Sequence, residues 1–194
     1  MLSKLKLESN FVNGLRVTDK ETMEIVEMVL SGSINKEIVM EINKEGGSAI
    51  GVSGKDALLT EIKKINKDLG FVGQPKKINE ELLHWFLKSH FIPVISPIGY
   101  DKNYDTYNIN ADTMSGSVAS SISSERLILL TDVEGVLDKK GNLLTEISLS
   151  EVKKLIKNGT ISRGMIPKVA TCVDAVTNGV EAAVILNGKL PHAI

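Results

Sequence analysis

The sequence predicts an α/β layered fold with a mostly parallel sheet. Strand-like apolar runs alternate along the chain with amphipathic stretches of roughly ten or more residues, the order that parallel strands joined by helices produce. Two runs, residues 91–95 and 127–130, are almost entirely apolar, as strands covered on both faces are. Because no repeat, low-complexity tract or long linker interrupts the chain, we expect one domain over residues 1–194.

Composition and charge exclude several classes of function before any motif is considered. The 194-residue chain is 42% apolar and 24% charged with a net charge of -1, so it carries no electrostatic footprint for nucleic acid or an anionic membrane. No apolar run approaches the roughly 20 residues of a bilayer span and no signal peptide is recognisable, so we expect a soluble, cytoplasmic protein. Cys172 is the single cysteine, and His84, His90 and His192 show no metal-ligand spacing, so neither a disulfide nor a protein metal site is expected.

The first predicted elements are helices. A capping box at residues 18–21 opens a helix that runs through Leu30. A second helix is predicted after Ser33, with isoleucines at spacings of four, and it ends at the glycine pair 46–47. Residues 48–52 are then expected to form a short buried strand.

The middle of the chain is harder to assign. Residues 56–78 are compatible with a strand or a short helix, because glycines and a proline interrupt the pattern. Asn79 is predicted to cap a helix that leads into the apolar strand 91–95.

A run of small polar residues at 106–113 has the pattern of a strand end that turns into a helix. If the first part of this run is extended, the strand period of two places Asn108, Asn110 and Asp112 on one side. Asp112 is also predicted to be the N-cap of a helix over residues 113–122. On spacing alone, a polar strand end with a helix cap is favoured over a ligand site.

The strongest strand prediction is residues 127–130, which deliver Asp132 to the carboxyl end, where open α/β sheets bind their ligands. Asp132 is compatible with nucleotide binding or with capping of the next turn. Arg16 presents a similar choice, between a guanidinium that binds a carboxylate and an ordinary surface salt bridge. A second capping box begins at Ser148, and its helix is predicted to end at Gly159.

Lys168 raises a more specific question. Pro167 is predicted to start a helix that reaches Asn178, and a last strand is expected at 181–186. A cation in the first helical turn opposes the helix dipole by about 0.3 to 1 kcal/mol, so its position after Gly164 suggests a nearby anion. A phosphate at the helix N-terminus and a solvated surface lysine both remain open explanations.

Three familiar motifs are absent. There is no G-x-G-x-x-G and no G-x-S-x-G, and residues 51–56 only imitate a P-loop, because Ala49 replaces its first glycine and Asp56 its Ser or Thr. A Rossmann dehydrogenase, a P-loop ATPase and an α/β-hydrolase are therefore disfavoured.

Five segments together resemble the acetylglutamate kinases of the amino acid kinase family. They follow the family's order over nearly the whole chain: residues 11–19, 51–56, 108–112, 129–137 and 164–169. The first and the last are specific to this kinase, and the others are shared more widely among its relatives. The resemblance implies a three-layer α-β-α sandwich with a mostly parallel central sheet.

The resemblance also implies a reaction and roles for individual residues. The family reaction transfers the γ-phosphoryl group of ATP, with Mg²⁺, to the side-chain carboxylate of N-acetyl-L-glutamate in arginine biosynthesis. By position, Arg16, Asn108 and Asn110 would bind the acetylated amino acid. Lys168 would stabilise the transferring phosphoryl group, and Asp112 would organise the catalytic lysines. The nucleotide would lie along Asp132, Val133, Glu134, Gly135, Val136, Leu137, Ile161, Ser162 and Arg163.

Further expectations and alternatives follow from the same resemblance. The family's N-terminal glycine-rich loops and C-terminal segment have no counterpart in this sequence, so we expect a domain incomplete at both ends and very slow or no turnover by this chain alone. A homo-oligomer, dimer or hexamer, is expected, and a PII signalling protein as partner only if the source is a plastid or a cyanobacterium. In an organelle-encoded protein the compartment would be the plastid stroma. The alternatives are a non-catalytic nucleotide- or amino-acid-binding module, and a related kinase with another carboxylate, carbamate or phosphate acceptor.

Overall fold

The structure, a computed structural model, describes residues 11–12, 15–162 and 164–193, without the side chains of residues 11, 12, 15, 16 and 67. The chain divides into two compact units, Met1–Met114 and Ser115–Ile194. Whether the two units act as one domain stays a prediction.

The first unit combines a parallel strand pair with a small barrel. Its strands are β1 (Phe11–Val12), β2 (Leu15–Arg16), β3 (Ala49–Ser53), β4 (Thr60–Lys64), β5 (Val72–Ile78), β6 (Ile92–Ser96), β7 (Ile98–Tyr100) and β8 (Thr106–Ile109). β3 pairs in parallel with β6, β1 pairs with β2 antiparallel, and β4, β5, β8 and β7 close a barrel in that order. The ambiguous segment 56–78 thus forms the antiparallel pair β4 and β5, with a register shift between Glu61 and Ile62.

Two helix starts of the first unit can be compared with their predictions. The helices are α1 (Lys20–Glu27), α2 (Asn35–Lys44) and α3 (Glu80–Lys88), and α4 (Ala111–Ser121) begins here. Asn79 caps α3 as predicted, since its Oδ1 accepts from Leu82 N at 3.2 Å. The predicted start of α1 was one residue early: Asp19 is its N-cap, and accepts from Thr22 N at 2.8 Å. Thr18 instead is fully buried and uses its main chain to pair with another segment.

The predicted break between the first two helices is wrong. Residues Met28–Ile34 form a π-helical segment that joins α1 directly to α2. Leu30 O accepts both from Asn35 N, the wider spacing of a π turn, and from Ser96 Oγ at 3.1 Å. The buried Asn35 amide donates to Val94 O at 2.8 Å and Val52 O at 3.4 Å. These bonds to β3 and β6 hold the helix together where its glycine and serines would favour a break.

The second unit is a parallel strand pair with two packed helices. Its elements are β9 (Arg126–Thr131), α5 (Leu149–Lys157), α6 (Met165–Thr177) and β10 (Ala182–Asn187). β9 and β10 pair in parallel, in register over their whole length. The predicted capping box at Ser148 is confirmed. The Ser148 hydroxyl accepts from Glu151 N, and the Glu151 carboxylate accepts from Ser148 N at 2.9 Å.

Helix α6 begins earlier than predicted. It starts at Met165, so Pro167 is its third residue and not its first. Proline is tolerated there because the first amides of a helix have no intrahelical acceptor. Gly116 of α4 allows the two helices to approach closely, because a Cβ at this position would lie 2.7 Å from the Thr171 methyl group.

The predicted α/β class and its parallel strand pairs are confirmed, while the antiparallel ladders of the barrel were not predicted. None of the helices in the described part of the chain has the length and apolar character needed to cross a bilayer.

Candidate functional site

The polar end of β8 presents an uncommitted amide group. Asn108 pairs with Ile98 of β7 and Val72 of β5, and its N–H donates to Phe71 O at 2.9 Å. Its side chain is half-buried. Within the described residues the Asn108 carboxamide makes no hydrogen bond, so both its donor and its acceptor are available to a ligand.

The prediction for the two residues that follow has to be corrected. The extended backbone stops at Ile109, and the α4 cap is Asn110, whose Oδ1 accepts from Thr113 N at 3.1 Å and from Thr113 Oγ1 at 3.4 Å. Asp112 therefore lies in the first turn of α4, not at its N-cap, and does not continue the alternation of Asn108 and Asn110. Its carboxylate is favourable at that position, because the N-terminal end of a helix dipole attracts negative charge.

The segment with Arg16 is attached to the stretch just before β5. The Arg16 backbone belongs to β2, while its side chain lies outside the described part of the chain. Two residues later, Thr18 N donates to Leu69 O at 3.0 Å and Thr18 O accepts from Phe71 N at 2.6 Å. The unit thus joins the backbone of this segment, through Phe71, to that of Asn108.

The turn after β3 is closed by its own carboxylate. Asp56 Oδ2 accepts from Ser53 N at 2.6 Å and from Ser53 Oγ at 2.8 Å, and Gly54 N donates to Ile98 O at 2.7 Å. An acidic side chain that occupies these donors leaves no cradle for a phosphate. The geometry agrees with the absence of a true P-loop motif.

A tyrosine phenol joins β8 to the loop before it. Tyr107 Oη donates to Asp101 Oδ2 at 3.4 Å, and Asp101 Oδ1 accepts from Asn103 N and Asp105 N. Burial raises the pKa of the Tyr107 phenol, and the carboxylates of Asp101 and Asp105 raise it further. The phenol is therefore protonated at neutral pH and remains a donor to the loop.

In the second unit, the segments predicted to hold a nucleotide pack around one apolar cluster. Val136 from the loop after β9, Ile161 from the turn before α6 and Val169 from α6 are buried together with Val152. Asp132 itself is exposed just beyond the end of β9. The cluster fixes Val136, Ile161 and Val169 with respect to one another.

One further predicted residue, Lys168, borders this cluster. Lys168 is the fourth residue of α6, directly before the buried Val169, and Thr171 one turn later meets Gly116. The Lys168 ammonium thus belongs to a helix that is held in place by the packing of Val169 in the cluster and of Thr171 against Gly116. Arg163 lies outside the described residues.

A cavity of about 670 Å³ in the second unit was not predicted. It lies along β10, and its wall is mainly apolar with the carboxylates of Glu134, Glu146 and Glu181. Of the residues predicted to bind nucleotide, only Glu134, Gly135 and Val136 line it. A sequence pattern could not have located it, because its lining comes from several separate elements. Among the described residues, no group of three or more His, Cys, Asp or Glu is arranged to hold a metal ion.

Comparison with known proteins decides the family. The model of the amino acid kinase family matches residues 1–187. The chain belongs to the amino acid kinase family. Within that family it is 54% identical to the acetylglutamate kinase of Rhodospirillum centenum, over 100% of this chain and 68% of that protein. It is 51% identical to the acetylglutamate kinase of Parvibaculum lavamentivorans, with the same coverage. The resemblance inferred from the five motifs is confirmed.

Solved structures with the same fold agree with this assignment. Smu.665 from Streptococcus mutans has a TM-score of 0.89 at 31% identity, over 97% of this chain and 77% of that one. The N-acetylglutamate synthase of Neisseria gonorrhoeae, with coenzyme A and N-acetyl-glutamate, has a TM-score of 0.84 at 22% identity, over 96% of this chain and 43% of that one. At 18% identity, an isopentenyl phosphate kinase shares the fold with a TM-score of 0.60, over 90% of this chain and 67% of that one. The last two likenesses concern the fold alone.

Proposed function

We propose that this protein transfers the γ-phosphoryl group of ATP to the side-chain carboxylate of N-acetyl-L-glutamate, the acetylglutamate kinase reaction of arginine biosynthesis. The observation that carries the proposal is an identity of 51 to 54% with acetylglutamate kinases over 100% of this chain. The product is N-acetyl-L-glutamyl 5-phosphate.

The candidate residues suit this chemistry. A glutamyl carboxylate, with a pKa of about 4.3, is ionised at neutral pH and needs no general base. The proposed site accordingly includes no histidine. Phosphoryl transfer through a loose transition state mainly requires alignment of the reactants and positive charge near the transferring oxygens.

The residues proposed to bind the acceptor belong to the first unit. The uncommitted carboxamide of Asn108 can donate to an oxygen of the acetylated amino acid and accept from its amide. Asn110 uses its Oδ1 to cap α4, so only its NH₂ group is offered to a ligand. Arg16 would bind a substrate carboxylate with a bidentate pair of hydrogen bonds.

The residues proposed to bind the nucleotide belong to the second unit. Residues 132–137 and 161–163 would hold the nucleotide, and the ammonium of Lys168 would meet the transferring phosphoryl group. Mg²⁺ would enter with ATP as part of the substrate, because this ion is commonly held by phosphate oxygens and a few protein groups. We propose for Asp112 the role that the family resemblance implies, that of organising the catalytic lysines.

We also propose that the protein is a homo-oligomer. Four large apolar side chains of the π segment and α2 are 41 to 63% exposed: Met28, Ile34, Ile38 and Met40. Large apolar side chains exposed on one stretch of helix favour a surface that is covered in an assembly. Light scattering on the purified protein tests the assembly and distinguishes a dimer from a hexamer. A PII signalling protein stays a predicted partner only if the source is a plastid or a cyanobacterium.

The reaction is tested by measuring ADP formation with ATP and Mg²⁺ in the presence of N-acetyl-L-glutamate, carbamate or inorganic phosphate. We expect N-acetyl-L-glutamate to be the acceptor that supports ADP formation, and we expect that formation to be very slow with this chain. Lys168→Ala should lower kcat by about 10²-fold or more, whereas Lys153→Ala, on the exposed side of α5, should not. Phosphorylation of another acceptor would favour a different kinase of the family, and ligand-dependent thermal stabilisation without ADP would favour a binding module.

A further inference from the structure

Three stretches of the first unit are linked laterally through one residue. Phe71 N donates to Thr18 O at 2.6 Å, and Phe71 O accepts from Asn108 N at 2.9 Å. Thr18 N donates to Leu69 O at 3.0 Å, so Thr18 is hydrogen-bonded to the residues on both sides of Gly70. The segment that carries Arg16 and the strand end that carries Asn108 are thus each one main-chain hydrogen bond away from Phe71.

Gly70 permits this arrangement for two separate reasons. Its φ of +70° lies in the left-handed region, which side chains other than Gly, Asn and Asp rarely adopt. In addition, a Cβ at this position would overlap the carbonyl oxygen of Thr18 and lie 3.0 Å from its carbonyl carbon. Thr18 is completely buried, so it cannot move outward without disturbing the core around it.

The Phe71 side chain prevents the strain from being absorbed on the other side. Its ring packs against the buried cluster of Met23, Val26 and Ile98. The ring of Tyr107 stands 5.5 Å away, and Lys64 Nζ lies 5.8 Å from the centres of both rings. A residue with a Cβ at position 70 would therefore displace Thr18 in preference to Phe71.

We infer that Gly70 is a positioning residue for the acetylated amino acid: it sets the segment of Arg16 against Asn108. The inference rests on the proposed function, because only that function makes Arg16 and Asn108 partners for one ligand. A displacement of Thr18 by a few tenths of an ångström or more moves the backbone two residues upstream. It leaves the second unit, and with it the proposed nucleotide contacts, unchanged.

The test compares Gly70→Ala with Gly46→Ala. Gly46 also has a positive φ, of +89°, but a Cβ there would meet nothing within 4 Å, so the control carries the backbone strain without the collision. Calorimetry on the full chain measures the Kd for N-acetyl-L-glutamate and, separately, for a non-hydrolysable ATP analogue. We expect Gly70→Ala to raise the Kd for N-acetyl-L-glutamate by about 10-fold or more, since small misplacements of binding groups are costly. The Kd for the nucleotide should stay within about 2-fold.

The outcomes separate the inference from the function on which it rests. If the unmutated protein does not bind N-acetyl-L-glutamate, the proposed function is wrong. If it binds, but Gly70→Ala changes its Kd no more than Gly46→Ala does, Gly70 has no positioning role. An equal loss of affinity for both ligands would also contradict the inference, because it would indicate a general loss of structure. Should Gly70→Ala fail to fold, Gly70→Asn with Gly46→Asn as control makes the same comparison, because asparagine tolerates a positive φ while still adding a Cβ.

Discussion

Replacement of Asn35 by alanine should be among the more damaging polar substitutions in the first unit. The Asn35 side chain is 3% exposed and connects the π segment to two strands, with bonds of 2.8 Å to Val94 O and 3.4 Å to Val52 O. A buried hydrogen bond contributes about 1 kcal/mol net, and leaving its partner unsatisfied costs more. With the small void left by the amide, we expect Asn35→Ala to lower the free energy of unfolding by about 2 to 3 kcal/mol.

Asn43→Ala is the matched control for this prediction. Asn43 lies on the same helix and accepts from Ala49 N at 2.6 Å, but at an exposed site where water can replace it. Its loss should cost less than about 1 kcal/mol. Differential scanning calorimetry should then show a fall in Tm of about 5 to 10 °C for Asn35→Ala and clearly less for Asn43→Ala. Equal shifts for the two variants would refute the reasoning, because burial of the amide would then make no difference.

Two other substitutions test local features. Hydrogen bonds from the backbone and side chain of Thr22 hold the pKa of Asp19 below its usual value, so the cap stabilises the fold at neutral pH and is lost as pH falls through that lowered pKa. Asp19→Ala should cost about 1 kcal/mol at pH 7 by urea unfolding, and its difference from the unmutated protein should shrink below pH 4; a difference independent of pH would contradict this. Ala57 has a φ of +45°, so Ala57→Gly should raise the free energy of unfolding by up to about 1 kcal/mol, whereas a lower Tm in calorimetry would show that the strain is not there.

Features that depend on a few neighbouring residues could be predicted from the sequence. The capping box at Ser148 and the cap at Asn79 are local patterns whose hydrogen bonds need no partner from elsewhere in the chain. The strand at 126–131 was recognisable from its run of apolar residues, but the expectation that both its faces are covered was wrong, because Ile128 and Leu130 are 38% and 50% exposed while Leu127 and Leu129 are buried. The family itself could be recognised because its motifs occur in order.

Features that depend on distant partners could not. The π segment is stabilised by hydrogen bonds to another element: Ser96 Oγ donates to Leu30 O, and the Asn35 amide donates to Val94 O. No local sequence pattern contains those contacts. Asn110 and Asp112 are both good N-caps, and the choice between them is made where β8 stops pairing with β7. The barrel was missed for the same reason, since its closure joins four strands that are separated in sequence.

The π segment also determines how this helix responds to the deletion of a residue. One wide turn contains a residue more than an α turn does, so removing a single residue between 28 and 34 would convert it into regular α-helix. Everything downstream would keep its orientation around the helix axis, because the wide turn spans nearly the same angle as the α turn that replaces it. Asn35 would still face the strands. A one-residue deletion between 29 and 33 should therefore be better tolerated than one within α1 or α2, where each lost residue rotates the rest of the helix by about 100°.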